Sequence, residues 1–480
     1  MTKADDLEGA VRVLEQSRAY LLNTMLDRRH NELTRLVSAG HTDMAQAYMR
    51  AADRLRRLDT AIADHPQRPP SAELLPLIEE AKAELADVIR QAQRLPGMRD
   101  FMRLDEIHNS PDRPMVYLVP GVKEEGVALV VGMPDEPQVR ALWLPLLNND
   151  ELVDKLNTFL KAYAEESVDR QPWFDAIEEA ATWSWAAVME QLVDLLLPVG
   201  KAVLVPVGFA SMVPWHAAFG RDQKSQTTRY AMDEILLTYA PTARAASARR
   251  LLSPDGSTLF IEDPQPVSLS SLPFAAAEVE LARQWAPDPT VLRHEQATRE
   301  ATLAKLHQIS IAHFACHATF AVEHPLDAHL LMADDVPLTL RDLLTEPIDG
   351  LDYVVLSACD TAVTTADEMD EMTTLATGFL AAGAIGVIAS MWAVPDASTC
   401  LLMSHIYRGW REHGKSPAEA LRAAQQWLRN GTNAEKALLA PDLYAPLLQR
   451  LTPLSKRLWD EACPHRHPYY WAAFAYFGVP

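Results

Sequence analysis

Ile311-Ala312-His313-Phe314-Ala315-Cys316-His317 and Tyr353-Val354-Val355-Leu356-Ser357-Ala358-Cys359-Asp360 are two short apolar runs that each stop on a reactive side chain. Both read as buried strands. Neighbouring parallel strands of an α/β sheet end at one edge, and ligands bind in the crevice outside their carboxyl ends. Two such strands side by side bring a histidine and a cysteine together, as a Cys-His hydrolase requires. A thiol near its ordinary pKa is only a few per cent thiolate at neutral pH, so a cysteine nucleophile needs an adjacent base. His317 is the candidate base and Cys359 the candidate nucleophile. Taken singly, each also has a structural reading, as a small core thiol and as a histidine closing a strand. Two features weigh against that reading. Cys359 stands where an apolar run breaks into the Thr/Asp-rich stretch Asp360 to Asp370, and 42 positions separate it from His317, room for one βαβ crossover.

The flanking sequence alternates strand and helix. Strand Ile309 to Ala315, helix Leu338 to Leu344, strand Tyr353 to Leu356, helix Met369 to Ala382 and strand Gly386 to Ala389 predict successive βαβ units. The expected fold class is therefore α/β, a mostly parallel sheet flanked by helices. Helices follow near Ser398 to His413 and Pro417 to Arg429. The aromatic segment His467-Pro468-Tyr469-Tyr470-Trp471-Ala472-Ala473-Phe474 is expected to form a final strand or to pack over the sheet. Upstream, Met115 to Val119, Val127 to Val131 and Arg140 to Leu144 read as a meander, and a helical stretch runs from Asn149 to Leu196. Ala202-Val203-Leu204-Val205-Pro206-Val207 reads as a strand buried in a parallel sheet. Ile235 to Tyr239 and Thr258 to Ile261 are further strands, a helix lies near Ala275 to Trp285, and Thr298 is set to cap a helix from Arg299 to Leu306.

From Asp5 to about Arg94 apolar residues recur at helical spacing (Leu7, Val11, Leu14, Leu21, Met25), and Gly40 and His65-Pro66-Gln67-Arg68-Pro69-Pro70 divide three helices. The expected division is an N-terminal helical segment over 1–98, an α/β half without a dyad over 111–250, and a catalytic α/β half over 251–480. The helical segment is either a structural prefix or a docking site for a regulatory protein. A chain of 480 residues with 48% hydrophobic content has enough apolar side chain for at least two cores.

Composition narrows the function classes. The four cysteines, Cys316, Cys359, Cys400 and Cys463, have no framework spacing, and the chain opens Met-Thr-Lys-Ala-Asp-Asp-Leu-Glu with no basic region and apolar run, so a cytoplasmic protein with reduced thiols is expected. The longest apolar stretch, near Leu195 to Met212, is cut by Pro198, Gly200, Lys201, Pro206 and Gly208, so no membrane span is expected. Setting 44 basic against 65 acidic residues gives a formal charge of −21, which disfavours nucleic acid as a partner. His313 is expected to be a buried, hydrogen-bonded core residue and Cys316 to be core. Cys463, His465 and His467 carry zinc-type donors in a Cys-x-His-x-His cluster, but no second spaced pair lies nearby and no metal is expected.

The run His313-Phe314-Ala315-Cys316-His317, with Pro325-Leu326-Asp327, Leu330-Leu331, Leu338-Thr339-Leu340-Arg341-Asp342-Leu343-Leu344, Val355-Leu356-Ser357-Ala358-Cys359-Asp360-Thr361-Ala362, Met391-Trp392-Ala393-Val394-Pro395-Asp396 and His467-Pro468-Tyr469-Tyr470-Trp471-Ala472-Ala473-Phe474, resembles a CHAT domain, a family grouped with caspases and separases. The resemblance runs from about Met115 to the C-terminus, with Leu204-Val205-Pro206-Val207-Gly208 and Pro214-Trp215-His216-Ala217-Ala218 in its earlier half. The 42-residue offset of histidine and cysteine is close to the roughly fifty of caspase-type proteases.

The resemblance implies a caspase-like fold and a Cys-His dyad of His317 and Cys359 that cleaves peptide bonds of a protein substrate through a thioester, without a cofactor. It further implies an oxyanion hole from the backbone N–H groups of Ala318 and Cys359. Ala318 stands where the family usually has glycine, and left-handed torsions there would cost about 1–2 kcal/mol. Asp396 resembles the acid that separases use to pair with arginine in the S1 pocket, with Asp360 as a second candidate, implying cleavage after Arg or Lys. The other reading of Asp396 is a cap on the helix beginning near Ser398. CHAT proteins commonly act in bacterial defence and signalling, which implies activation by a partner, here through the N-terminal helices. Two rivals remain: an inactive CHAT scaffold that binds partner proteins, and a metal-dependent hydrolase built on His313, His317 and the C-terminal cluster.

Overall fold

The computed structural model describes residues 7–17, 40–48, 50–51, 54, 74–92, 94–95, 113–134, 139–166, 169–222, 226–243, 245, 256–319, 325–345, 348, 350–358, 374–449 and 451–479. Short segments, most of them apolar, form the strands, in chain order β1 (Met115–Val119), β2 (Gly126–Val131), β3 (Val139–Leu144), β4 (Lys201–Pro206), β5 (Phe219–Arg221), β6 (Thr228–Tyr230), β7 (Leu236–Tyr239) and β8 (Thr258–Glu262). They continue as β9 (Pro289–Arg293), β10 (Ile311–Ala315), β11 (Ala318–Thr319), β12 (His329–Met332), β13 (Val336–Thr339), β14 (Tyr353–Leu356), β15 (Gly386–Ser390) and β16 (Phe474–Gly478).

Eleven of these make one sheet in the order β3-β2-β1-β4-β7-β16-β15-β14-β10-β8-β9. The β1–β2 and β2–β3 pairs are antiparallel, the meander expected from short alternating runs. From β4 onward the pairings are parallel, except that β16 runs antiparallel to β15. β8, β10, β14, β15 and β16 are buried along their whole length or nearly so, which is why they read as continuous apolar runs. A separate three-stranded antiparallel meander, β11-β12-β13, follows β10.

Helices cover both faces. Asn149–Ala164 is capped by Asn148, whose side chain accepts from Glu151 N, and Arg299–Leu306 by Thr298, which accepts from Ala301 N. Pro417–Asn430 opens with a capping box between Ser416 and Glu419. Burial of the apolar stripes of these helices and of both sheet halves yields one continuous core from Val116 to Phe477. A smaller cluster on the other face of β1–β4 includes Val11 of the Leu7–Ser17 helix. Glu15 of that helix accepts from the Tyr117 hydroxyl (2.7 Å) and from Ala243 N (2.9 Å). Further along, Arg54 pairs with Glu80 (3.0 Å) and Glu84 (2.5 Å) of the Leu74–Ala92 helix. No described helix is long and apolar enough to cross a membrane.

Candidate active site

β10 and β14 lie side by side and parallel, with Ile311 opposite Tyr353 and Phe314 opposite Leu356. That register offset, 42 positions, equals the sequence separation of His317 and Cys359. Both chains leave the sheet at its carboxyl edge, tied by Ser357 N donating to Phe314 O (2.9 Å). Cys359 and Asp360 lie outside the described residues, which stop at Ala358 on this strand. The approach to Cys359 is nonetheless anchored. Ser390, the last residue of β15, donates its hydroxyl to the Ala358 carbonyl (2.5 Å) in a buried position.

His317 follows β10 and is partly buried, and its Nε2 bonds the Ser270 carbonyl at 2.8 Å. A carbonyl only accepts, so Nε2 holds the proton and Nδ1 is the free basic nitrogen. The loop that presents Ser270 is fixed from below. Asp263, buried at the end of β8, accepts from the Ser271 hydroxyl (2.5 Å), Leu272 N (3.2 Å) and Gln265 Nε2 (3.2 Å), and its own N–H donates to Ala315 O (2.9 Å).

The torsional cost expected at Ala318 is not incurred. Ala318 is in β11 opposite Leu330, with extended backbone, and it is absent from the positive-φ residues. Leu331 N donates to His317 O (2.9 Å), which makes Ala318 and Leu330 the non-hydrogen-bonded pair of this ladder. The Ala318 N–H therefore points away from β12.

Asp396 is the first residue of the Asp396–Tyr407 helix, two positions before the expected start, and Pro395 occupies the N-cap. The capping reading of Asp396 is thus replaced. The hydroxyls of Ser398 (2.8 Å) and Thr399 (3.3 Å) bond back to Pro395 O.

A cavity of about 470 Å³, counted with its open mouth, sits at these strand ends. His317, Cys316, Ser357 and Ala358 line one side, Leu272 and Glu278 another, and Trp392, Val394, Thr399 and Phe474 the rest. Trp392 is held by its indole N–H on Tyr469 O (3.0 Å) and by edge contacts with Phe159 and Trp173. Cys316, expected as core, is 2% exposed and also faces this cavity.

Beneath it, His313 is fully buried as expected, with Nδ1 at 3.2 Å from the Tyr407 hydroxyl and Nε2 at 2.8 Å from Glu278 Oε1. Burial pushes the Tyr407 hydroxyl far above its usual range, so it keeps its proton. Glu278, Ser270 and Ser390 were not singled out in the sequence. Glu278 carried a signal: with Ala275, Val279 and Ala282 it falls on the buried stripe of the Ala275–Arg283 helix, where an acid is out of place.

The other candidates disperse. His216 bonds Tyr239 Oη (2.8 Å) and Ala472 O (2.9 Å), and burial lowers its pKa to about 4. Cys463 Sγ contacts Asn430 O (3.3 Å), His465 meets Tyr470 edge-on, and His467 stacks on Phe174 while its Nδ1 accepts from Tyr469 N (3.1 Å). Among the described residues no three His, Cys, Asp or Glu side chains converge as a metal site.

The family model of the CHAT domain matches residues 176–479. No curated protein sequence matches the chain. Among solved structures, separase of Saccharomyces cerevisiae in complex with securin, at 3.0 Å resolution, is similar with 10% identity over 91% of this chain and a TM-score of 0.48. The match covers 34% of the separase chain, so this chain spans about a third of that length. The Arg-specific cysteine proteinase gingipain R is similar with 11% identity over 66% of this chain and 75% of its own, TM-score 0.35. The complex of the pro- and mature domains of the Porphyromonas gingivalis enzyme gives 12% identity over 69% and 75%, TM-score 0.30.

Proposed function

The chain belongs to the CHAT family, whose model covers more than half of it, and on that premise we propose that it is a cysteine endopeptidase with His317 and Cys359 as its dyad. The observation that carries this is the shared offset: β10 and β14 pair parallel at 42 positions, the separation of the two residues, beside an open cavity. Nδ1 of His317, the nitrogen not committed to Ser270, takes the thiol proton. The Cys359 sulfur attacks the peptide carbonyl, the C–N bond breaks, and imidazolium returns the proton to the leaving amine. Water then attacks the thioester, giving a proton to His317; the C–S bond breaks, the carboxylic acid leaves, and imidazolium returns the proton to the Cys359 sulfur. The N–H of Ala318, turned away from β12, and that of Cys359 are the oxyanion donors, each worth a few kcal/mol in such sites.

The substrate carries a basic P1 residue, for which the sequence offers two acids, Asp396 at the start of its helix beyond β15 and Asp360 after the nucleophile. The half over 251–480 carries the chemistry, 111–250 supports it, and the helices within 1–98 receive a regulatory protein in a cytoplasmic defence or signalling role. The test is cleavage of a pooled peptide library by the purified chain beside Cys359→Ala, with the residue before each cut read by mass spectrometry. Cuts after Arg or Lys that vanish in the variant support the proposal. Silence from both, with no labelling of Cys359 by a thiol-reactive probe, would make the chain a scaffold instead.

A further inference from the structure

Among the described residues the cavity beside His317 has one carboxylate in its wall, and it is neither of the two acids suggested by sequence. Glu278 is 4% exposed and lines the cavity from the Ala275–Arg283 helix. Its Oε1 accepts from His313 Nε2 at 2.8 Å. Its Oε2 has no hydrogen bond among the described residues, in a side chain that lines the cavity.

On its other side the His313 ring has Nδ1 at 3.2 Å from the buried Tyr407 hydroxyl. No described Lys or Arg pairs with Glu278, whose one ionic contact is this histidine. A buried carboxyl oxygen left without a donor is costly unless a ligand supplies one. The wall around it mixes the apolar side chains of Leu272, Trp392, Val394 and Phe474 with His317, Ser357, Ser390 and Thr399. Apolar side chains beside one unbonded carboxyl oxygen suit a methylene stem with a donor-bearing cationic tip.

We infer that Glu278 is a specificity-determining residue that receives the cationic side chain of an arginine or lysine beside His317. The inference rests on the peptidase reading for its biological meaning, but not for its binding chemistry. One free oxygen gives an end-on contact, so ammonium and guanidinium are both accommodated, unlike a forked pocket that selects guanidinium. Glu278 polarises nothing in the reaction. It holds the substrate chain so that its carbonyl lies at the strand ends.

The experiment is calorimetric titration of acetyl-Ala-Ala-Arg amide and its uncharged isostere acetyl-Ala-Ala-citrulline amide into the full chain carrying Cys359→Ala, with and without Glu278→Gln. Glutamine keeps an oxygen for His313 and removes only the charge. The arginine peptide should bind more tightly than the citrulline peptide, and Glu278→Gln should weaken it roughly 10- to 100-fold while leaving the citrulline peptide unchanged. Equal binding of the two peptides, or an arginine preference that survives Glu278→Gln and is lost in Asp396→Asn, overturns the inference. Should Glu278→Gln fail to fold, Asp396→Asn in the same Cys359→Ala chain serves: the arginine preference must persist, and its loss overturns the inference. Charge-dependent binding without peptide cleavage by the chain with Cys359 intact would remove the peptidase and leave the cation site. Cleavage that needs Cys359 but ignores the charge at 278 would do the reverse.

Discussion

Ala318 is where a single residue decides whether a family departure matters. Glycine is favoured where φ is positive or a backbone approaches closely, yet Ala318 is an extended strand residue whose N–H already faces away from β12. Restoring glycine therefore gains no geometry. Ala318→Gly should leave kcat/KM of peptide cleavage unchanged and lower stability by about 0.5–1 kcal/mol, the usual cost of glycine in a strand. A rise in kcat/KM of about tenfold, worth about 1.4 kcal/mol at the transition state, would mean that the working loop is not extended. At this scale the sequence made His317 and its strand end legible, because an apolar run that stops on a histidine is a local pattern. The Ser270 carbonyl that fixes its tautomer was not legible, since a backbone oxygen 47 residues away leaves no mark in side-chain chemistry.

Among elements, strands that are buried on both faces announced themselves. β1 and β14 match their expected limits, and β10 differs only at its start. The short or half-exposed strands did not: β9 has no fully buried residue, and β11 spans two residues. The placement of β16 was also hidden, because pairing with both β15 and β7 is a long-range choice among several exposed edges. Its register leaves a specific mark at Gly386, which faces Gly478. A Cβ added there meets the buried Tyr476 hydroxyl and ring. Gly386→Ala gains β-propensity locally but should destabilise the chain by about 3 kcal/mol through overpacking. Tyr476→Phe, which removes the nearest atom, should recover part of that loss in a double-mutant cycle read by urea midpoints. A neutral or stabilising Gly386→Ala would show that β16 does not hold this register.

Over the whole molecule, residues before and after position 250 contribute to one sheet and one core, and His216 is a seam between β7 and the lead-in to β16. It follows β4, takes its proton arrangement from Tyr239 on β7, and donates Nε2–H to Ala472 just before β16. A staple of this kind works only with a neutral imidazole, because the cationic form would have to be desolvated and would present a second N–H to the Tyr239 hydroxyl. Burial accordingly lowers its pKa to about 4, and the same cause brings His405 and His465 to about 4. The sign follows from linkage: the folded pKa lies below the unfolded value near 6.5, so on acidification the unfolded chain takes up protons first. The contribution to stability is complete above about pH 6.5 and is lost as the pH falls toward 4. For His216 alone the full loss is about 3 kcal/mol, at about 1.4 kcal/mol per pH unit where one proton separates the two states. His216→Gln, which keeps a donor for Ala472, should lower the neutral-pH urea midpoint slightly but flatten the fall between pH 6.5 and 4 by about one proton. An unchanged slope would locate the acid sensitivity in His405 and His465 and deny His216 its place at the seam. Loss of the staple should also reach the site, because the segment from Tyr469 to Phe474 that Ala472 belongs to holds Trp392 and lines the cavity beside His317.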